Sequence, residues 1–555
     1  MRIKHLSLLC SALLLSQASF AADKPSWDVS ADHGKTKTIS FNTDEGTWLD
    51  LDVSPDGNSI VFSMMGDIYL MPISGGNAQR ISSGPAWDVQ PRFSPNGKEI
   101  AFTSDRAGGN NLWRMNRDGS ASKQVTKESF RLFNNPIWTP DGQYLIGRKH
   151  FTSERSLGAG ELWMTHRDGG EGLQLTKRKN DQMDLGEPAI SPDGRYVYYS
   201  EDVSDGDTFS YNKNVYEVIY AIKRQDRDTG ETQTLINTPG GAIRPQPSPD
   251  GKKLAFVKRI RDKSVLHVLD LQSGKVTPVW DGLSHDMQEA WAIFGPYANF
   301  NWTPDSQSVV IWAQGKIWRV NMQTGTPQNI AFNAEVSQKL TAPIRFTNSL
   351  EGASFNAKML RDVATSPDDK TVIFHAVGHL WKRVGNSNPT RLTQDNTHFE
   401  YQPSFSADGK KILYTTWSDA TQSSIRELDL STGASRILNT EPGFYYQPRF
   451  SPNGQHVVFV KAGGSSLTGS LNSLNRGIFT TPINTWAPTK IADGGEPQFS
   501  PDSKRVFYMS GSDLAKKVMR VGIHGENPRE VFNLKHVDSV QFSPDGKHEI
   551  GRAHV

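Results

Sequence analysis

Ser54-Pro55-Asp56-Gly57 decides the fold, because the same four positions return ten more times along the chain. The copies begin at Ser94, Thr139, Ser191, Ser248, Thr303, Ser366, Ser406, Ser451, Ser500 and Ser543, spaced by 40 to 63 residues. Each copy reads as a tight turn. Ser or Thr can bond back to the backbone, Pro presets φ at the next position, Asp or Asn tolerates the third, and Gly takes a positive φ without steric cost. Alternating apolar residues follow, as in Ile60 and Phe62, Ile100 and Phe102, Leu254 and Phe256, Val372 and Phe374. Next comes a strand with an aromatic, as in Ile68-Tyr69, Leu112-Trp113, Leu162-Trp163, Ile317-Trp318 and Leu380-Trp381, and then a short strand such as Gln174-Leu175-Thr176 or Arg391-Leu392-Thr393. Four strands per repeat of about 40–50 residues is the pattern of a propeller blade.

Eleven copies exceed the four to eight blades with which one propeller usually closes. The expected fold is therefore all-β, two tandem β-propellers of four-stranded blades, the second incomplete. The longest gap, from Thr303 to Ser366, includes a stretch from Ala334 to Leu360 where the blade pattern lapses. The boundary is placed there, with about six blades over 22–340 and an incomplete ring over 341–548. Thr38–Asn42 reads as a strand that pairs into the sixth blade and clasps the first ring.

The N-terminus reads as an export signal over 1–21. Arg2 and Lys4 precede a short apolar run from Leu6 to Leu15, and Ser19-Phe20-Ala21 offers a cleavage site. The single cysteine, Cys10, lies inside it, and Leu9 before it is not the small residue of a lipoprotein signal. Without Arg2 and Lys4, 59 basic residues face 59 acidic ones. That balance gives no basic surface for nucleic acid, and no later stretch is apolar enough for membrane insertion by a helix. The expected location is periplasmic or secreted.

These residues resemble the periplasmic TolB-type propeller family, whose blades carry the same Pro-Asp-Gly turn. Three segments bring the chain closer to the two-propeller region that precedes a metal-dependent amidohydrolase domain in some secreted bacterial proteins: Asp44-Glu45-Gly46-Thr47-Trp48, Arg244-Pro245-Gln246-Pro247 and Asp286-Met287-Gln288-Glu289-Ala290-Trp291. The resemblance implies a non-catalytic scaffold or gate, whose partner is its own missing C-terminal domain and which binds a divalent metal only there. Two other readings share the fold: a TolB-like binding scaffold that engages a peptide or another protein, and the propeller region of a serine peptidase.

The chain itself offers no catalytic residues. It has no His-x-His, no His-Glu-x-x-His and no Gly-x-Ser-x-Gly. His375 and His379 come nearest to a ligand pair. Asp202, Asp205 and Asp207 could attract calcium, but their spacing fits no standard loop. The best binding candidates lie on the long segment from Ser284 to Asn301: Asp286, Gln288, Glu289, Trp291 and Tyr297, placed either for ligand or domain contact or for packing. Gly463 to Ser473 reads as a flexible loop. The eleventh copy is expected to halt after His548, and 549–555 resemble a translated sequencing-library adapter.

Overall fold

A computed structural model describes residues 28–129, 132–152, 158–207, 217–345, 352–463, 473–512, 515–534, 537–543 and 547–553. The signal segment and 464–472 of the glycine-serine loop lie outside the described residues. Among the described residues every regular element is a strand, so the fold is all-β, in two tandem propellers. The chain divides into two compact units at Arg345.

The described repeat turns work as their residues dictate. In the fifth, Ser248 Oγ donates to Asp250 Oδ1 (2.6 Å), Lys252 N–H donates to the same oxygen (3.1 Å), and Lys253 N–H donates back to Ser248 Oγ (2.9 Å). The turn glycines at 57, 97, 142, 194 and 251 have φ between +67° and +76°, which explains the Gly in the motif. The turn joins the first strand of a blade to its second.

Among the described residues the first unit holds six such blades. Blade 1 is Leu51–Val53, Ser59–Met64, Asp67–Pro72 and Gly76–Arg80, and the sixth is Asn301–Trp302, Ser308–Ala313, Lys316–Asn321 and Pro327–Ile330. Apolar side chains of facing sheets form the core, as where Ile137, Leu185, Val197 and Tyr199 of blades 3 and 4 pack together. Trp138 and Trp302 add a polar stitch. Each indole N–H donates to a carbonyl on the preceding blade, that of Arg92 (3.2 Å) and of Gln246 (2.9 Å).

Ring closure differs from the expected clasp. Phe332–Thr341 is a strand that lies parallel to Gly76–Arg80 of blade 1, and Thr36–Thr43 pairs antiparallel to it along its whole length. The N-terminal strand thus reaches blade 1 through a strand that follows blade 6, rather than entering blade 6. Phe332, Ala334 and Val336 are buried while Asn333 and Glu335 face out, so the period-2 alternation of a strand continues through the first part of the stretch taken as patternless.

Among the described residues the second unit holds four four-stranded sheets, starting at Arg361, Phe399, Phe444 and Gly495, and a two-stranded sheet of Val537–Phe542 and Glu549–Ala553. The eleventh repeat therefore has a paired second strand, against expectation. Ladder hydrogen bonds use backbone groups, and 549–553 supply them.

Candidate functional site

Counting four residues back from each turn Ser or Thr gives Asp50, Gln90, Asn135, Glu187, Arg244 and Asn299 in the first unit. All six are polar, all sit on or just before the innermost strand of a blade, and none is more than 2% exposed. Gln90, Asn135, Glu187 and Arg244 have φ between +55° and +58°, each at a break in register between its strand and the next. Such bulges take a backbone N–H out of the ladder, and a buried N–H needs another acceptor.

Neighbouring blades supply it. Asn135 N–H donates to Gln90 Oε1 (2.9 Å), Arg244 N–H to Glu187 Oε2 (2.7 Å) and Asn299 N–H to Asp50 Oδ1 (2.7 Å). Side chains extend the network: Gln90 Nε2 donates to Asn135 Oδ1 (2.7 Å), Arg244 donates to Asn135 and Asn299, and its Nε lies 3.1 Å from Glu187 Oε1. Burial pushes the Asp50 carboxyl up to about 6, against the opposing pull of Arg244 and Arg92.

This ring is filled by the chain itself. Asn134 Nδ2 donates to Ile293 O (2.9 Å), Gln90 Nε2 to Phe294 O (2.8 Å), and Arg244 Nε to Tyr297 O (2.9 Å). The segment singled out in the sequence for binding is thus seated on the first ring as a plug. Asp286 and Gln288 have no exposed surface. Asp286 accepts from Ser264 Oγ (2.6 Å) and lies 2.6 Å from an Arg259 nitrogen, and Glu289 lies 2.5 Å from the same nitrogen. Gln288 Nε2 donates to Gly240 O (3.2 Å). Tyr297 is fully buried, its hydroxyl donating to Trp312 O (2.9 Å), and burial pushes that hydroxyl's pKa up. Trp291 is half-buried beside His150, ring centroids 5.5 Å apart. The structure brings these five residues together at the plug and its base.

The second unit repeats the series. Asp362, Gln402, Gln447 and Glu496 occupy the same offset, with φ between +51° and +53°. Gln402 N–H donates to Asp362 Oδ2 (3.3 Å), Gln447 N–H to Gln402 Oε1 (2.8 Å) and Glu496 N–H to Gln447 Oε1 (3.0 Å). These four residues line a cavity of about 1490 Å³, together with Ser404, Arg449 and the aromatic rings of Phe405, Phe450 and Phe499. Burial pushes the Arg449 guanidinium's pKa down, with Glu496 opposing. These ring residues were not read from the sequence. Their signal is a fixed offset from the turn, with Pro next in seven copies, from Gln90-Pro91 to Glu496-Pro497.

The remaining candidates are occupied elsewhere. His379 Nδ1 accepts from Arg391 (3.2 Å), and His375 lies edge-on to Tyr401, with burial holding its pKa down. Asp202 accepts from Ser204 N–H and Oγ, while Asp207 lies 3.7 Å from Lys179. Among the described residues no group of three or more His, Cys, Asp or Glu could hold a metal ion. The turn acids Asp56, Asp141, Asp193, Asp250, Asp305, Asp368, Asp408 and Asp502 are held below the usual carboxylate range, first by the adjacent Ser or Thr hydroxyl. Among the described residues no helix is long and apolar enough to cross a membrane.

Residues 19–213 match the TolB beta propeller domain. An uncharacterized peptidase, YuxL of Bacillus subtilis, is 23% identical over 28% of this chain and 28% of its own length. The Tol-Pal system protein TolB of Helicobacter hepaticus is 33% identical over 18% of this chain and 25% of its own. The chain thus spans about a quarter of the length of these curated relatives. Among solved structures, the tricorn protease covers 91% of this chain with 46% of its own, at 15% identity and a TM-score of 0.39. A TolB-type protein of Agrobacterium tumefaciens covers 49% with 96% of its own, at 18% identity and a TM-score of 0.36. The chain carries a TolB-like β-propeller domain.

Proposed function

We propose that this chain is a non-catalytic propeller scaffold, exported to the periplasm or beyond, that binds or gates access for a catalytic domain. The observation that supports it best is the contrast between the two rings. The first is filled by its own segment, while the second lines a cavity. Among the described residues no three His, Cys, Asp or Glu side chains converge on one point.

The catalytic domain is read as a metal-dependent amidohydrolase following the propellers, with the divalent metal held by that domain's own ligands. The support for this is the resemblance of the Asp44–Trp48, Arg244–Pro247 and Asp286–Trp291 segments. A serine peptidase is the second reading, favoured by the similarity to YuxL and to a tricorn protease homolog. A TolB-like scaffold without an enzyme is the third.

The test is to sequence the gene that encodes this chain and to assay the chain beside any longer product. The expected result is a His-x-His motif and amide hydrolysis, lost on chelation, by the longer protein alone. Hydrolysis by this chain would overturn the scaffold reading. A Gly-x-Ser-x-Gly motif would replace the amidohydrolase by the peptidase, and the absence of both would leave the binding scaffold.

A further inference from the structure

The two rings carry matching series in the same blade order, differing only in Asn against Gln at the third place: Asp50, Gln90, Asn135, Glu187 in the first, and Asp362, Gln402, Gln447, Glu496 in the second. In both, side-chain oxygens accept the N–H that a bulge frees in the next blade. They differ in what the donors do. In the first, amide and guanidinium groups donate to three main-chain carbonyls of the plug, at Ile293, Phe294 and Tyr297. In the second, Gln447 Nε2 is taken by Glu496, but neither Gln402 Nε2 nor the Arg449 guanidinium has a hydrogen-bond partner among the described residues. Both line the cavity.

The identity of residue 402 carries the argument. Its structural task is to offer an oxygen to Gln447 N–H (2.8 Å). A glutamate would do that equally well, as Glu187 does for Arg244 N–H (2.7 Å). Glutamine adds one thing, an N–H₂ that a carboxylate lacks. Gln90, its counterpart, spends that group on Asn135 Oδ1 (2.7 Å) and on the carbonyl of Phe294 (2.8 Å).

We propose that the ring of the second propeller binds an extended polypeptide segment by its main-chain carbonyls, with Gln402 Nε2 and Arg449 as donors, as the first ring holds residues 293–297. The inference rests on the reading of this chain as a binding scaffold. A carbonyl accepts and cannot donate, which suits the amide of Gln402 and the guanidinium of Arg449 on the cavity wall. The rings of Phe405, Phe450 and Phe499 beside them give apolar surface for side chains of the segment.

The probe is a labelled peptide with the plug sequence of residues 287–299, titrated into the whole chain and read by fluorescence anisotropy. A scrambled peptide is the control. Gln402→Glu keeps the oxygen for Gln447 and removes the donor. It should leave the melting temperature unchanged and weaken binding about tenfold or more. Equal binding by wild type and Q402E, equal binding of the scrambled peptide, or no saturable binding would overturn the proposal. Should Q402E not fold, a photo-crosslinking phenylalanine at the peptide's Phe294 position decides. Crosslinks at residues 362–499 support the site, and crosslinks elsewhere overturn it. Binding that ignores residue 402 sinks this proposal alone, whereas amide hydrolysis by the chain sinks the scaffold reading.

Discussion

Replacing Asp286 by alanine tests whether the Ser284–Asn301 segment is a built plug or an exposed binding loop. The Asp286 and Arg259 side chains are both fully buried, with nitrogen and oxygen 2.6 Å apart. Asp286 also accepts from Ser264 Oγ (2.6 Å) and from Gln288 N–H (3.1 Å). The substitution leaves a buried guanidinium short of one partner and two donors without an acceptor. Breaking a buried pair costs about 3–5 kcal/mol. Glu289 still touches Arg259, at 2.5 Å, which puts the expected cost near the lower end, ~3 kcal/mol. For a domain of this size each kcal/mol moves the midpoint by about 2 °C, so Tm should fall by roughly 6 °C. The assay is calorimetry of the whole chain, with Arg259→Met and the double variant alongside. The double variant should lose less than the sum of the singles, because Asp286 and Arg259 contact each other and neither is left facing the gap of the other. A D286A midpoint within about 1 °C of wild type, the size expected of a surface substitution, would refute the plug.

Three further outcomes follow from the same structure. The turn acids have depressed pKa values, so their contribution is present above the ordinary value of 3.8 and is lost as pH falls through their folded values. Tm should therefore drop below about pH 4, and Asp250→Ala, Asp305→Ala and Asp502→Ala combined should flatten that drop in an acid titration. Asp50 is raised to about 6. Its protonated form suits the folded state, so stability should fall as pH rises from about 4 to about 6 and level off above that, and Asp50→Asn should remove this slope in urea unfolding. At Gly75, φ is +83° and an added Cβ would lie 2.2 Å from the carbonyl oxygen of Ala331. Gly75→Ala should cost ~2 kcal/mol or more at the closure between blade 1 and Phe332–Thr341, measured as a loss of hydrogen-exchange protection in that strand.

What the sequence disclosed was local. The Ser248-to-Lys253 turn closes its hydrogen bonds within six residues, so its chemistry is written in one contiguous motif and eleven copies announce blades. Closure is not local: Thr36 pairs with Thr341, and nothing near either residue names the other. Phe332, Ala334 and Val336 alternate for too short a run to show a strand without its partner. The ring escaped notice for a different reason. Its members are Asp, Gln, Asn, Glu and Arg, because each meets a different neighbour, so only the offset from the turn is constant. The plug was noticed for its polar and aromatic content, but Asp286 and Tyr297 look the same in a sequence whether they meet a ligand or Arg259 and Trp312.

The central claim is that the first ring is filled by its own segment while the second is reachable. Thiol labelling tests it most directly, because Cys10 is the only native cysteine. In a Cys10→Ser background, a cysteine replaces either Ala298, fully buried in the plug, or Gln402, on the wall of the second cavity. The account predicts labelling at position 402 near the rate of a free thiol, and labelling at position 298 at least ~100-fold slower, limited by local opening. Equal rates at the two positions would contradict it.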